Sequence, residues 1–449
     1  MKIAFVQSCL DSGGVSTREL VLDCLNKIKC SNGQGANAFL LVNEAEALAS
    51  ADSQDILRKA VVPIGPLAGV TISIKDLFDV VGQVTTSGSK VLRANAPALQ
   101  DAEVIAKLRQ AGSIFMGRTN MTEFAYSGLG INPHYGTPLN PFDRNTQRIS
   151  GGSTSGGAIS VSDGMVSIAL GSDTGGSCRI PAALCGLVGY KSTARRYSMK
   201  GVLPLSKSLD SIGVIASSVD CCRRVDGVLA EASTSKMPSI ALKNLKVGVL
   251  RNEVLDGMDE VVERAYLKAL NALIIAGVSI HTVDSTIISE VVALQGQQKI
   301  VSVEAYANLE GVMTKSFGDI DPRVSSRISK GKEVSSATYI QIVNERARLI
   351  AMWGHEFSND DIWIMPTVPV IAPKMSDFEN DNEYFRLNGL ILRNPGIFNF
   401  LDGCAISIPC HGLESAPVGL MLVSPGGNDE KLLAIASLLE SVISKITSV

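Results

Sequence analysis

The stretch Ile149–Pro181, ISGGSTSGGAISVSDGMVSIALGSDTGGSCRIP, decides how the chain is read. It holds two serine clusters set in glycine, Gly151-Gly152-Ser153-Thr154-Ser155-Gly156-Gly157 and Gly171-Ser172-Asp173-Thr174-Gly175-Gly176-Ser177. Between them run Ile159, Val161, Met165, Val166, Ile168 and Leu170. A flexible linker has no use for such apolar residues, so both clusters belong to one core. Serines on tight glycine backbone, twice in one core, ask for a chemical reason.

Working outward, the flanking sequence alternates strand and helix patterns. Ser16-Thr17-Arg18-Glu19 has the capping-box form and predicts a helix to about Lys29. A second helix is expected over Glu44–Ala60, and the β-branched run Gly69-Val70-Thr71-Ile72-Ser73-Ile74-Lys75-Asp76 reads as a strand ending at a lysine. Helix at Asp101–Gln110 and strand at Ser113–Gly117 follow. Within the opening stretch a helix through Ala158–Ser162, a strand from Met165 to Leu170 and a helix after Cys178 are expected. Leu187–Tyr190, Val202–Leu205 and Ile212–Ala216 read as short strands, Asp220–Glu231 as helix, and Glu231–Pro238 as a surface crossing. Beyond it come strand Lys246–Leu250, helix Glu260–Ala276, strand Val278–Val283 and a long helical region to about Arg348, broken near Asp321-Pro322. Strands Ile362–Pro366 and Val418–Val423 and a closing helix Glu430–Ile446 complete the pattern. Such alternation predicts one large α/β domain on a mixed sheet.

Bulk properties narrow the function. The 449 residues are 45% hydrophobic and 19% charged, which suits an extensive core, and the net charge is −3 without a long basic run. No nucleic-acid surface is therefore expected. No apolar run approaches the roughly 20 residues that span a bilayer, and the apolar patch in MKIAFVQSCLDSGG is too short for a secretory signal. Nine cysteines without a CxxC pair or Cys/His ligand spacing read as free thiols in a reducing cytoplasm, and Cys221-Cys222 receives no role. No membrane partner and no metal are expected, and a homodimer stays open.

Four readings compete for the two clusters. A phosphate loop needs a lysine that neither supplies. A dinucleotide fingerprint needs a different glycine spacing, and Asp173 would repel a pyrophosphate. Structural turns are a third reading. The fourth is a serine nucleophile with an oxyanion hole, since Thr174-Gly175-Gly176-Ser177 can aim successive N–H groups at one point. Such a serine needs a base. His134, His281, His355 and His411 lie in no triad pattern. Lys75, ending an apolar strand, is the alternative, because desolvation favours its neutral amine.

These segments together resemble the amidase signature family: the strand ending at Lys75-Asp76, the Ser153 cluster, and Gly171–Pro181 in that order, with Ser153 and Ser177 separated by 24 positions as in that family's signature. Thr119–Ala125, Gly189–Thr193 and Ile406–Cys410 match as well, so the resemblance spans nearly the whole chain. It implies a single domain over 1–449 with a twisted mixed sheet covered by helices on both faces. Residues 60–220 would form the signature core and about 231–410 a more variable, pocket-forming part. It also implies a Ser–Ser–Lys triad without metal or organic cofactor. Ser177 would attack the amide carbonyl, Ser153, following a cis peptide bond, would relay the proton, and Lys75 would accept it. The N–H groups of Thr174, Gly175, Gly176 and Ser177 would hold the oxyanion, and Ala125 and Tyr126 would line the acyl pocket.

Departures from the family pattern fall at Ile159–Asp163, Lys191–Tyr197 and Asp402–Ala405. Arg179 reads as a structural ion-pair partner in preference to a substrate ligand. Pocket walls are expected around Tyr126, Leu129, 304–327 and 375–402. The implied activity is hydrolysis of a small or aryl carboxamide through an acyl-enzyme on Ser177, with carboxylated ureas also open. The alternative is the glutaminase subunit of a tRNA-dependent amidotransferase.

Overall fold

The computed structural model describes residues 1–231, 240–251 and 253–447. Its strands are β1 (Phe39–Val42), β2 (Thr71–Lys75), β3 (Ile114–Thr119), β4 (Ile168–Asp173), β5 (Val188–Lys191), β6 (Ser211–Ala216), β7 (Lys246–Leu250), β8 (Ser279–Val283), β9 (Ile362–Pro366), β10 (Cys404–Pro409) and β11 (Gly419–Ser424). They form one sheet in the order β1-β3-β2-β4-β6-β5-β10-β11-β9-β7-β8. Pairing is parallel along β3-β2-β4 and β9-β7-β8, and antiparallel elsewhere.

Strand periodicity sorts side chains onto two faces. Ile72 and Ile74 of β2 join Ile168 and Leu170 of β4 in one buried cluster, with Val104, Leu108, Val225 and Leu432 from helices Glu103–Gln110, Val219–Leu229 and Asp429–Thr447. Ala169 and Ile215 face the other way, against Val21, Leu25, Ala158 and Ile159 of helices Thr17–Lys29 and Ser155–Ser162. Helices thus cover both faces, as expected. The intervening β2 positions Thr71, Ser73 and Lys75 are polar and buried. Ser73 Oγ lies 2.9 Å from Ser160 Oγ, and Thr71 Oγ1 lies 3.4 Å from Ser167 Oγ. A polar seam under the Ser155–Ser162 helix leads along β2 to Lys75.

Most expected elements are present, including the Ser16/Glu19 capping box on Thr17–Lys29. Three differences from the expected elements are seen. β4 begins at Ile168, because the N–H groups of Met165 and Val166 close the preceding helix by donating to the Ser160 carbonyl. Val202–Leu205 makes only an isolated bridge, Phe78 to Val202, and no strand. β1, β10 and the helices Ile3–Asp11 and Asp381–Phe400 are further elements. Beyond Glu231, the Glu231–Pro238 crossing lies outside the described residues.

Candidate active site

Lys75 ends β2 and Asp173 ends the adjacent parallel β4, so both stand at carboxyl ends of neighbouring strands, where open α/β sheets place ligands. The Lys75 side chain is fully buried. Its Nζ lies 2.8 Å from Ser153 Oγ, 2.9 Å from Ser172 Oγ and 3.4 Å from the Ser172 carbonyl. Burial pulls this amine down to about 8, against the opposing influence of Cys178, Asp173 and Asp210. A lysine in this setting can lose its proton near neutral pH and then accept one from a hydroxyl.

Ser153 follows a cis peptide bond from Gly152. A side chain at Gly152 would meet the Gly130 backbone nitrogen at 2.5 Å, so two loops touch here backbone to backbone. The Ser153 carbonyl accepts from Thr122 N–H at 3.2 Å, and Thr154 N–H donates to the Ser177 carbonyl, also at 3.2 Å. The first bond ties the Ser153 loop to the Thr122 turn, and the second ties it to the Ser177 loop. Gly176 has φ +123°, and a Cβ there would lie 2.6 Å from both Ile180 and Pro395, so the turn before Ser177 requires glycine.

Asp173 holds that turn in shape. Its Oδ1 accepts from Gly176 N–H at 2.8 Å and its Oδ2 from Cys178 N–H at 3.1 Å. The fully buried Arg179 closes on the same carboxylate, Nη2 to Oδ1 at 2.9 Å, and also donates to Asn399 Oδ1 at 2.6 Å. Burial alone would raise the Asp173 pKa, but Arg179, Lys191 and Asn399 outweigh it and hold the carboxyl well below the usual carboxylate range. Arg179 is thus committed to the turn, as its structural reading anticipated. Thr174 Oγ1 donates to Asp210 Oδ1 at 2.6 Å, anchoring the loop from the opposite side. Burial pushes the Asp210 carboxyl up to about 6.

Ser177, 4% exposed, opens onto a cavity of about 1200 Å³. Thr174, Gly175, Ala125 and Tyr126 share that wall, whereas Lys75, Ser153 and Gly176 are not among its lining residues and lie in the protein behind it. Phe124 and Ala125 have φ of 50° and 59°, an uncommon conformation for two successive residues with side chains, of the kind that clusters at functional sites. Burial pushes the Tyr126 hydroxyl up to about 12.

Several expectations about the pocket need correcting. Leu129 is buried with Ile149, Ile180 and Ile391 and does not reach the cavity. Glu304 accepts from Ser206 Oγ, Ser208 N–H and Tyr339 instead of lining the wall. Asp402 pairs with the exposed Arg195 at 2.6 Å, and the neighbouring Gly403 carbonyl accepts from Lys191 Nζ. Among the residues sequence reasoning missed, Ser172 adds a second hydroxyl at Lys75, and Gln297 lies 3.5 Å from the Thr174 carbonyl. Ser172 stood inside the quoted cluster; Gln297 had no local signal. His134, His281 and His411 sit with Glu123, Asp360 and the Val418 carbonyl, away from both serines. All nine cysteines are free.

Known proteins share this architecture. A family model described as Amidase matches residues 19–433. The chain is 32% identical to 2-amino-5-chloromuconic acid deaminase of Comamonas testosteroni, covering 91% of this chain and 89% of that protein. It is 30% identical to a glutamyl-tRNA(Gln) amidotransferase subunit of Roseiflexus castenholzii, covering 98% and 96%. A crystal structure of an amidase superposes with a TM-score of 0.88 at 28% identity, over 99% of this chain and all of that one. Among the described residues no helix is long and apolar enough to cross a membrane.

Proposed function

The chain belongs to the amidase family, and from that premise we propose that it hydrolyses the C–N bond of a small or aryl carboxamide through an acyl-enzyme on Ser177. One observation carries the assignment of roles: a fully buried Lys75 with its Nζ 2.8 Å from Ser153 Oγ, behind a serine that faces the cavity. The hydroxyl of Ser177 loses its proton to Ser153 as Oγ attacks the carbonyl carbon, and Ser153 passes its own proton to neutral Lys75. The oxyanion is held by N–H groups of the Thr174–Ser177 turn other than the expected Gly176, whose N–H is taken by Asp173 Oδ1 and which does not line the cavity. Collapse breaks the C–N bond, and the proton returns from Lys75 through Ser153 to the departing nitrogen. Water then attacks the ester carbonyl by the same relay, releasing the acid and restoring Ser177.

Replacing Ser177 by Ala tests the assignment. Ammonia or amine release and fluorophosphonate labelling should both vanish while the circular dichroism spectrum is unchanged; retained turnover would refute it. The glutaminase-subunit reading has support from the 30% identity to the amidotransferase protein. Copurifying partner subunits, with glutamine as the only amide accepted, would favour it over free-standing hydrolysis. Nine free thiols fit a reducing, cytoplasmic setting, and light scattering decides between monomer and homodimer.

A further inference from the structure

The cavity in front of Ser177 carries charge mainly of one sign. Lys299, Arg327, Lys330 and Arg393 line it with no ion-pair partner among the described residues, and Glu333 is the lining carboxylate that stands against them. A fifth cation, Arg386, is held by Glu383 at 2.6 Å. Low-dielectric walls strengthen such an imbalance and draw anions in.

Arg327 is the cation tied to the catalytic loops. Its Nε donates to the Arg323 carbonyl at 3.1 Å, and its Nη2 donates to the Tyr126 carbonyl. The guanidinium lies 4.7 Å from the centre of the Tyr126 ring. Tyr126 is adjacent to Ala125 on the cavity wall, and Thr122, at the start of the same turn, donates to the Ser153 carbonyl. The fork is therefore fixed in plane by neutral carbonyls and an aromatic face. Nη1 has no protein acceptor among the described residues. A preorganised guanidinium with donors to spare and no counter-charge is suited to a planar carboxylate.

We propose that the substrate amide carries a carboxylate, bound in this cavity by Arg327, and that it carries no ammonium group. This deepens the amidase reading and rests on it for the amide end. The surplus of lining cations penalises an ammonium, which sets such substrates apart from free amino-acid amides such as glutamine.

Calorimetric titration of the Ser177→Ala protein separates binding from chemistry. Each dicarboxylic monoamide from succinamate to adipamate is compared with its neutral diamide, and glutamine is included. The best monoamide should bind roughly 10- to 100-fold more tightly than its diamide, the range expected for a charge-assisted contact, and more tightly than glutamine. Adding Arg327→Met should bring the ratio close to one, and Arg327→Lys should restore part of it. Arg327→Gln, which keeps a donor for the Tyr126 carbonyl without the charge, gives the same reading if the Met variant does not fold. Equal affinity for monoamide and diamide, glutamine binding as tightly, or a preference that survives loss of the Arg327 charge would overturn the proposal. Wild-type turnover is scored separately. Selective binding without ammonia release would refute the amidase reading and leave the carboxylate subsite standing; equal hydrolysis and equal binding of both amides would do the reverse.

Discussion

Two buried lysines, each ending a strand, invite comparison. Lys75 closes β2 and Lys191 closes β5, and neither has meaningful solvent contact. Burial pulls both amines down to about 8, with Arg179 adding to the effect at Lys191. Their partners differ. Lys191 Nζ donates to two carbonyls, of Ser192 at 2.8 Å and Gly403 at 2.6 Å. Carbonyl oxygens only accept, so the amine there can do nothing but donate. Lys75 lies against the hydroxyls of Ser153 and Ser172, which can donate as well as accept. A depressed pKa therefore does not by itself mark a base. A partner able to give up a proton does.

The largest expected effect breaks that comparison outright. Lys75→Ala should lower kcat/KM for amide hydrolysis by about 10²- to 10⁴-fold, the usual range for a lost general base, with the melting temperature little lowered. Lys191→Met should do the opposite. It leaves the Ser192 and Gly403 carbonyls without their buried donor, at about 1–3 kcal/mol each, so thermal unfolding moves down while turnover per folded molecule is nearly kept. Steady-state kinetics paired with calorimetry on both variants checks the inversion.

A smaller effect sharpens the contrast within the site. Ser172→Ala removes one of the two hydroxyls at Lys75 and leaves Ser153 as its remaining hydroxyl partner. Turnover should fall by roughly tenfold, in line with the loss of one hydrogen bond of about 1–1.5 kcal/mol. A drop as deep as that of Lys75→Ala would place Ser172, not Ser153, on the proton path.

The lysine comparison also shows what sequence can carry. Lys75 stood out because a β-branched run ends on it, and that run is β2. The Ser153 and Ser177 clusters were legible from glycine spacing, since a turn that excludes Cβ at Gly152 and Gly176 must be written in the local sequence. The Ser16/Glu19 cap was legible for the same reason. What escaped notice depends on distant partners. The four residues of β1 become a strand by pairing with β3, and β10 is fixed by β5 and β11 on its two sides. The Asp381–Phe400 helix contains Pro395, which argues locally against helix, yet Asn394 and Asn399 on it hold the Pro366 carbonyl and Asp173. Gln297 reaches the site from a helix more than a hundred residues downstream of Ser177, where nothing in its own neighbourhood announces it, whereas Arg327 closes the 304–327 stretch expected as pocket wall.

In the proposed mechanism neutral Lys75 activates Ser177 through Ser153. The most direct test is the pH dependence of the rate at which a fluorophosphonate labels Ser177, followed by intact-mass spectrometry in wild type, Lys75→Ala and Lys191→Met. A base must be unprotonated to act, so the rate should fall as pH drops through about 8 and level off above it. Wild type and Lys191→Met should share that inflection, and Lys75→Ala should be slow without it. An inflection near pH 8 that persists in Lys75→Ala, or that disappears in Lys191→Met, would contradict the account.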